Sequence, residues 1–201
     1  MENLRNLRIA VLGTGANGAG IGADLAEAGL DVTFIDQWPE NVAAIREHGV
    51  RIQMDGEERV VRVPILHLCE VATLRQPFDV VLLLVKAYDT RWACELIKPH
   101  VAETGVVAGV QNGMTGDDIA DVLGDSRAVA AVIEVTAAMY TPGLVERHSN
   151  RSRSWFAVGA ARPESRHHVS TISELLGIAG VVEEVDRKST RLNSSHQIIS
   201  Y

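Results

Sequence analysis

A short apolar run, Arg8-Ile9-Ala10-Val11-Leu12, stops at Gly13, and the hexapeptide Gly13-Thr14-Gly15-Ala16-Asn17-Gly18 follows. Few features restrict the choice of fold as tightly as G-x-G-x-x-G between a strand and a helix. A helical pattern comes next, with Ile21, Leu25, Ala28 and Leu30 apolar. Gly29 then stops it, since glycine takes a left-handed conformation without penalty. The second strand reads Asp31-Val32-Thr33-Phe34-Ile35 and ends on an acid, Asp36. In such a unit Gly13 permits the tight turn, Gly15 lets a pyrophosphate approach the backbone, and Gly18 lets the helix pack on the strand. The helix N-terminus offers unpaired N–H groups and partial positive charge to the phosphates. Thr14, Ala16 and Asn17 complete this candidate loop. Asp36, 18 residues after Gly18, is placed to accept hydrogen bonds from the adenosine ribose hydroxyls.

The winding continues downstream. Pro39 to His48 reads as a helix with Pro at its start, and Gly49 as its stop. Val50–Gln53 and Arg59–Val63 flank Asp55-Gly56, a hairpin signal. Val63 to Cys69 is apolar but open between helix and strand. Asp79 to Val85 is a near-continuous apolar run, as expected of a strand buried on both faces of a parallel sheet, and Lys86 stands at its end. Helices are expected over Thr90–Ile97, Asp117–Leu123 and Ser165–Ile178. Strands are expected over Gly105–Val110, Ala128–Val135 and Val181–Val185. Leu144–His148 and Trp155–Val158 read as an antiparallel pair after the Pro142-Gly143 turn. The alternation predicts an α/β, Rossmann-type, doubly wound and mainly parallel sheet over residues 1–186. Such sheets place ligands beyond the carboxyl ends of their strands. Gly13–Gly18, Asp36, Lys86 and Gln111-Asn112 all fall there.

Composition narrows the function classes. The 201 residues carry a net charge of −7, which argues against nucleic acid as the main partner. No apolar run approaches the roughly 20 residues that span a bilayer, and residues 1–8 have no signal-peptide core, so a cytoplasmic protein is expected. Cys69 and Cys94 lack metal spacing and read as reduced, buried thiols. His48, His67, His100 and His148 are isolated, and the adjacent His167 and His168 point about 100° apart on a helix, so no metal site is expected. Arg147, Arg151, Arg153 and Arg162 read as a solvated basic hairpin. Trp38-Pro39 either flanks an adenine or packs at the helix start.

Taken with Leu83-Leu84-Val85-Lys86-Ala87 and Gln111-Asn112-Gly113-Met114, the segment from Ile9 to Gly18 resembles the ketopantoate reductase (2-dehydropantoate 2-reductase) family, from Ile9 to about Val185. The resemblance implies NAD(P)H-dependent reduction of a small keto acid, 2-dehydropantoate, to pantoate in pantothenate and coenzyme A biosynthesis. It places Gly13–Gly18 on the pyrophosphate and Lys86 near the cofactor. Asn112 would lie beside both the nicotinamide ribose and the substrate, and Met139 in a stretch that makes a backbone contact to the cofactor. Two cofactors stay open: Asp36 would repel a 2′-phosphate and favours NAD, whereas the family favours NADP.

Family members continue into a C-terminal helical domain bearing a catalytic lysine, substrate-binding asparagines and a serine. The resemblance leads to the expectation that this sequence stops before that domain, so no catalytic residue is named and little turnover is expected. A homodimer is conceivable for a full-length protein. Residues 187–201 depart from the preceding composition and read as a non-native or disordered tail. A non-catalytic dinucleotide-binding or sensing module, and a reductase of another 2-keto acid, are the alternative readings.

Overall fold

The computed structural model describes residues 3–185, so the expectation for residues 187–201 lies outside the described residues. The chain builds β1 (Arg8–Leu12), α1 (Ala16–Glu27), β2 (Asp31–Asp36), α2 (Pro39–His48), β3 (Val50–Met54), β4 (Glu57–Val61), β5 (Ile65–His67) and β6 (Phe78–Leu83). Then follow α3 (Thr90–Ile97), β7 (Val101–Val110), α4 (Gly116–Leu123), β8 (Ala128–Glu134), β9 (Ala137–Thr141), β10 (Leu144–Arg147), β11 (Trp155–Ala160), α5 (Val169–Ala179) and β12 (Val181–Glu184).

Eight strands form the main sheet in the order β12-β11-β8-β7-β6-β1-β2-β5. From β5 to β8 every pair is parallel, with Leu12 level with Ile35 on one side and Leu83 on the other. Strand order reverses between β1 and β6, which makes their carboxyl ends the switch point of a doubly wound sheet. The strand period of two divides the core. Ile9 and Val11 of β1, with Val80 and Leu82 of β6, face α1, α2 and α5. Ala10 and Leu12, with Val81 and Leu83, face α3 and α4. Both faces being covered explains why Ile9–Leu12 and Val80–Leu83 are apolar without interruption.

A second sheet, β4-β3-β10-β9, joins two distant segments: β3 pairs with β4 antiparallel and with β10 parallel. This overturns the expected pairing of Leu144–His148 with Trp155–Val158. β11 instead lies antiparallel to β8 and parallel to β12 in the main sheet. The burial patterns give the reason. β11 is buried along its length and requires cover on two faces, while β10 alternates and requires only one. The sheet's inner face rests on α1, where Val145 lies close to Gly20.

Other boundaries moved for local reasons. Pro163–His168 forms a tighter 3-10 turn, with Ser165 bonding back to Arg162, so α5 starts only at Val169. β7 begins at Val101, four residues before Gly105, and its register against β6 shifts between Val101 and Val106. The undecided Val63–Cys69 segment yields β5, an edge strand beside β2. β9 had no sequence expectation.

Arg147 corrects the solvated-hairpin reading. It is 5% exposed, and its guanidinium meets Asp24 of α1 at 2.5 Å, the carbonyl of Ser149 at 3.0 Å and that of Ala179 at 3.1 Å. Arg59 of β4 takes the other Asp24 oxygen, Oδ1, at 2.5 Å, so one buried carboxylate ties α1 to both halves of the second sheet. No helix among the described residues is long and apolar enough to cross a membrane. No group of three or more His, Cys, Asp or Glu among them could hold a metal.

Candidate dinucleotide site

The loop between β1 and α1 owes its shape to two contacts. Gly13 sits at φ +94°, donates to the carbonyl of Ile35 at 2.9 Å, and lies so close to the chain after β6 that a Cβ would fall 2.7 Å from the Val85 nitrogen. Gly18 packs directly under it, and a Cβ there would lie 2.0 Å from the Gly13 carbonyl oxygen. Gly15 differs: a Cβ built on it meets no atom within 4 Å. It is also the N-cap of α1, with no capping side chain, and the first turn contains no acid. The N-terminal end of a twelve-residue helix thus opens onto free space with its dipole uncompensated. Asn17, on the first turn, has a buried Oδ1 with no hydrogen-bond partner. A diphosphate fits such a place, because helix N–H groups supply donors and nothing fills the space over Gly15.

Asp36 is in place but differently employed than expected. It is 6% exposed, and Oδ2 accepts from the Thr14 N–H at 3.0 Å, the Thr14 hydroxyl at 2.5 Å and the Asn41 amide at 3.1 Å. Oδ1 accepts from the Trp38 N–H at 2.9 Å. Asn41 also donates to the Thr14 carbonyl and accepts from the Gly143 N–H, which joins the loop to the β9–β10 turn. The acid at the end of β2 therefore organises the Gly13–Gly18 loop, and Oδ1, with a single donor, keeps a further acceptor position. Asn41 went unnoticed in the sequence because only the fold brings α2 against the loop.

At the ends of β6 and β7, Lys86 is exposed, and its ammonium makes no ion pair recorded among the described residues. Asn112 is exposed too, and its Oδ1 accepts from the Ile133 N–H of β8 at 3.1 Å, which turns the Asn112 NH2 outward. Beneath them Gln111, 5% exposed, donates to the Val85 carbonyl at 2.7 Å and accepts from Thr115 at 2.8 Å. It bonds Thr90 as well, bracing the two loops against each other. A Cβ on Gly113 would come within 3.1 Å of the Ala87 methyl, so the Lys86 and Asn112 loops touch. Gly13–Gly18, Asp36, Lys86 and Asn112 share one edge of the sheet. Met139, by contrast, sits on β9 and packs against the core around α1.

Residues 9–161 match the ketopantoate reductase PanE/ApbA family. A 2-dehydropantoate 2-reductase from Lactococcus lactis is 35% identical over 112 residues, which cover 56% of this chain and 36% of that one. One from Pyrococcus abyssi is 31% identical over 143 residues, 70% of this chain and 44% of that one. The chain spans about half the length, or less, of these relatives. Among solved structures, a PanE/ApbA family ketopantoate reductase from Ralstonia eutropha JMP134 superposes with a TM-score of 0.74 at 31% identity, covering 89% of this chain and 56% of that one. D-mandelate dehydrogenase, solved with NADH and anilino(oxo)acetate, superposes with a TM-score of 0.80 at 24% identity, covering 89% and 57%, and speaks for the fold alone.

Proposed function

The chain belongs to the ketopantoate reductase PanE/ApbA family, and from that premise we propose that it is the nicotinamide dinucleotide-binding part of a reductase acting on a small 2-keto acid, 2-dehydropantoate by family. The observation that carries this reading is the open, uncapped start of α1 over Gly15, set at the switch point between β1 and β6. When bound there, a reduced nicotinamide supplies the hydride for carbonyl reduction.

The chain's own residues bind and orient. Backbone N–H groups at the start of α1 hold the diphosphate, and the Asn17 amide stands beside them. Lys86 adds a mobile positive charge at the β6 end, suited to an anionic ligand. Asn112, its oxygen already engaged by Ile133, donates through its NH2 to a ribose hydroxyl or a substrate oxygen. Protonation of the nascent alkoxide requires a general acid, a role we give to no residue of this portion, so we propose cofactor binding with little turnover for it alone.

We further propose NAD(H) over NADP(H). What supports this is the fixation of Asp36 by four hydrogen bonds, which would hold a carboxylate at the end of β2 against a bound ribose and resist its swinging aside for a phosphate. Calorimetric titration of the 201-residue chain with NADH and NADPH is the test. Binding of NADH at least about tenfold tighter is expected, since a charge placed against a 2′-phosphate costs 1.4 kcal/mol or roughly more. Tighter NADPH binding refutes the preference, and no binding of either refutes the site.

A further inference from the structure

The two cysteines differ in every respect that governs reactivity. Cys94 lies fully buried on α3, where burial, with Asp118 and Glu95 nearby, pushes its thiol up to about 12. Cys69 is exposed, contrary to the sequence expectation, and its Sγ lies 3.0 Å from Nδ1 of His67, at the end of β5. The other ring nitrogen, Nε2, is 3.1 Å from the Gln37 carbonyl oxygen. A carbonyl can only accept, so Nε2 carries the proton and Nδ1 presents its lone pair to the thiol. The Cys69 N–H, at 3.3 Å, shares that single lone pair, and the shorter contact is the one to the sulfur. Glu70 completes the surroundings. Its carboxylate accepts from the His67 N–H at 2.7 Å and from Arg46 at 2.8 Å, and these contacts hold its carboxyl below the usual range, leaving a negative charge beside the imidazole. An orienting carbonyl, an imidazole base and an accessible thiol in sequence form a nucleophile–base pair.

We propose that Cys69 is a covalent modification site, at which His67 promotes exchange with a low-molecular-weight disulfide. The Cys69 sulfur attacks one sulfur of the disulfide while Nδ1 of His67 takes the thiol proton. A new S–S bond forms to Cys69, the old S–S bond breaks, and the released thiolate recovers the proton from the imidazolium. Cys69 is thereby oxidised to a mixed disulfide and half of the reagent is reduced to a thiol. The pair stands beside Gln37, immediately after Asp36, so the adduct neighbours the carboxyl end of β2. The chemistry itself does not depend on a dinucleotide being bound.

The experiment follows the reaction of the folded 201-residue chain with 5,5′-dithiobis(2-nitrobenzoate) at neutral pH, with peptide mass mapping of the labelled residue. One thiol per chain reacts, it maps to Cys69, and it reacts about tenfold faster than glutathione under the same conditions. Cys69→Ser removes the reaction. His67→Asn, which can still cap the Cys69 N–H but cannot take up the proton, brings the rate close to that of glutathione. Label on Cys94 instead, a wild-type rate no higher than that of glutathione, or a folded His67→Asn variant within twofold of wild type each overturns the proposal. If that variant fails to fold, the wild-type rate and the mapping decide the matter alone.

Discussion

Replacing Asp36 by asparagine changes one atom and should break the Gly13–Gly18 loop. Oδ2 of Asp36 receives three donors and Oδ1 a fourth. An amide has one oxygen and one NH2 group. Whichever way it is turned, donors face a donor: the NH2 meets either the Trp38 N–H or the Thr14 and Asn41 groups. Thr14 is fully buried, so its N–H cannot turn to water instead. A hydrogen bond to a charged acceptor contributes about 1.5–3 kcal/mol, and an unsatisfied buried donor costs about 1–3 kcal/mol. Losing charge assistance throughout and one bond outright gives a destabilisation of about 3 kcal/mol. With a urea m-value of about 2 kcal/mol/M, the unfolding midpoint falls by about 1.5 M.

Tryptophan fluorescence during equilibrium urea unfolding reads this directly, since Trp38 adjoins the network. Asp31→Ala is the control. That carboxylate is exposed at the start of β2, 3.6 Å from Arg8, and its loss shifts stability by less than about 1 kcal/mol. An Asp36→Asn variant as stable as Asp31→Ala would refute the role given to Asp36. The same network forbids a simple change of cofactor preference. Asp36→Arg places a donor where four donors already point, so it should abolish NADH binding without creating NADPH binding.

The two glycines of the loop should separate binding from folding. Gly15→Ala points a methyl into open space at an ordinary φ of −65°, so melting is unchanged while dinucleotide affinity falls at least about tenfold. Gly18→Ala drives a methyl into the Gly13 carbonyl and destabilises by about 2–3 kcal/mol in urea unfolding. Arg147→Met strips a buried carboxylate of its best partner and costs about 3 kcal/mol, of which Asp24→Asn in the same chain recovers a part. His168 is held below the ordinary imidazole range by burial first, then by the His167 and Arg127 charges. Its folded state therefore resists protonation, and the stability it contributes is present above about pH 6.5 and is lost as pH falls through its depressed value. Melting temperatures at pH 7.5 and 5.5 should differ less in His168→Gln than in wild type.

Much of this molecule was determined by local pattern. β1, α1, β2 and the loop Gly13–Gly18 follow from strand length, helical spacing and glycine chemistry, all of which act within a few residues. The doubly wound sheet follows too, because strands covered on both faces must be largely apolar, as Val80–Val85 is. Tertiary structure decided what depends on meetings between distant segments. β10 and β11 are adjacent in the chain yet belong to different sheets, because β11 needs cover on two faces and β10 on one. Arg147 looked solvated beside Arg151 and Arg153 until Asp24, 123 positions away, met it under the second sheet. Asp36 was recognisable as the acid ending β2, but its duty to Thr14 and Asn41 was not. Sequence names a side chain's donors and acceptors, and only packing decides which partners exclude water from them.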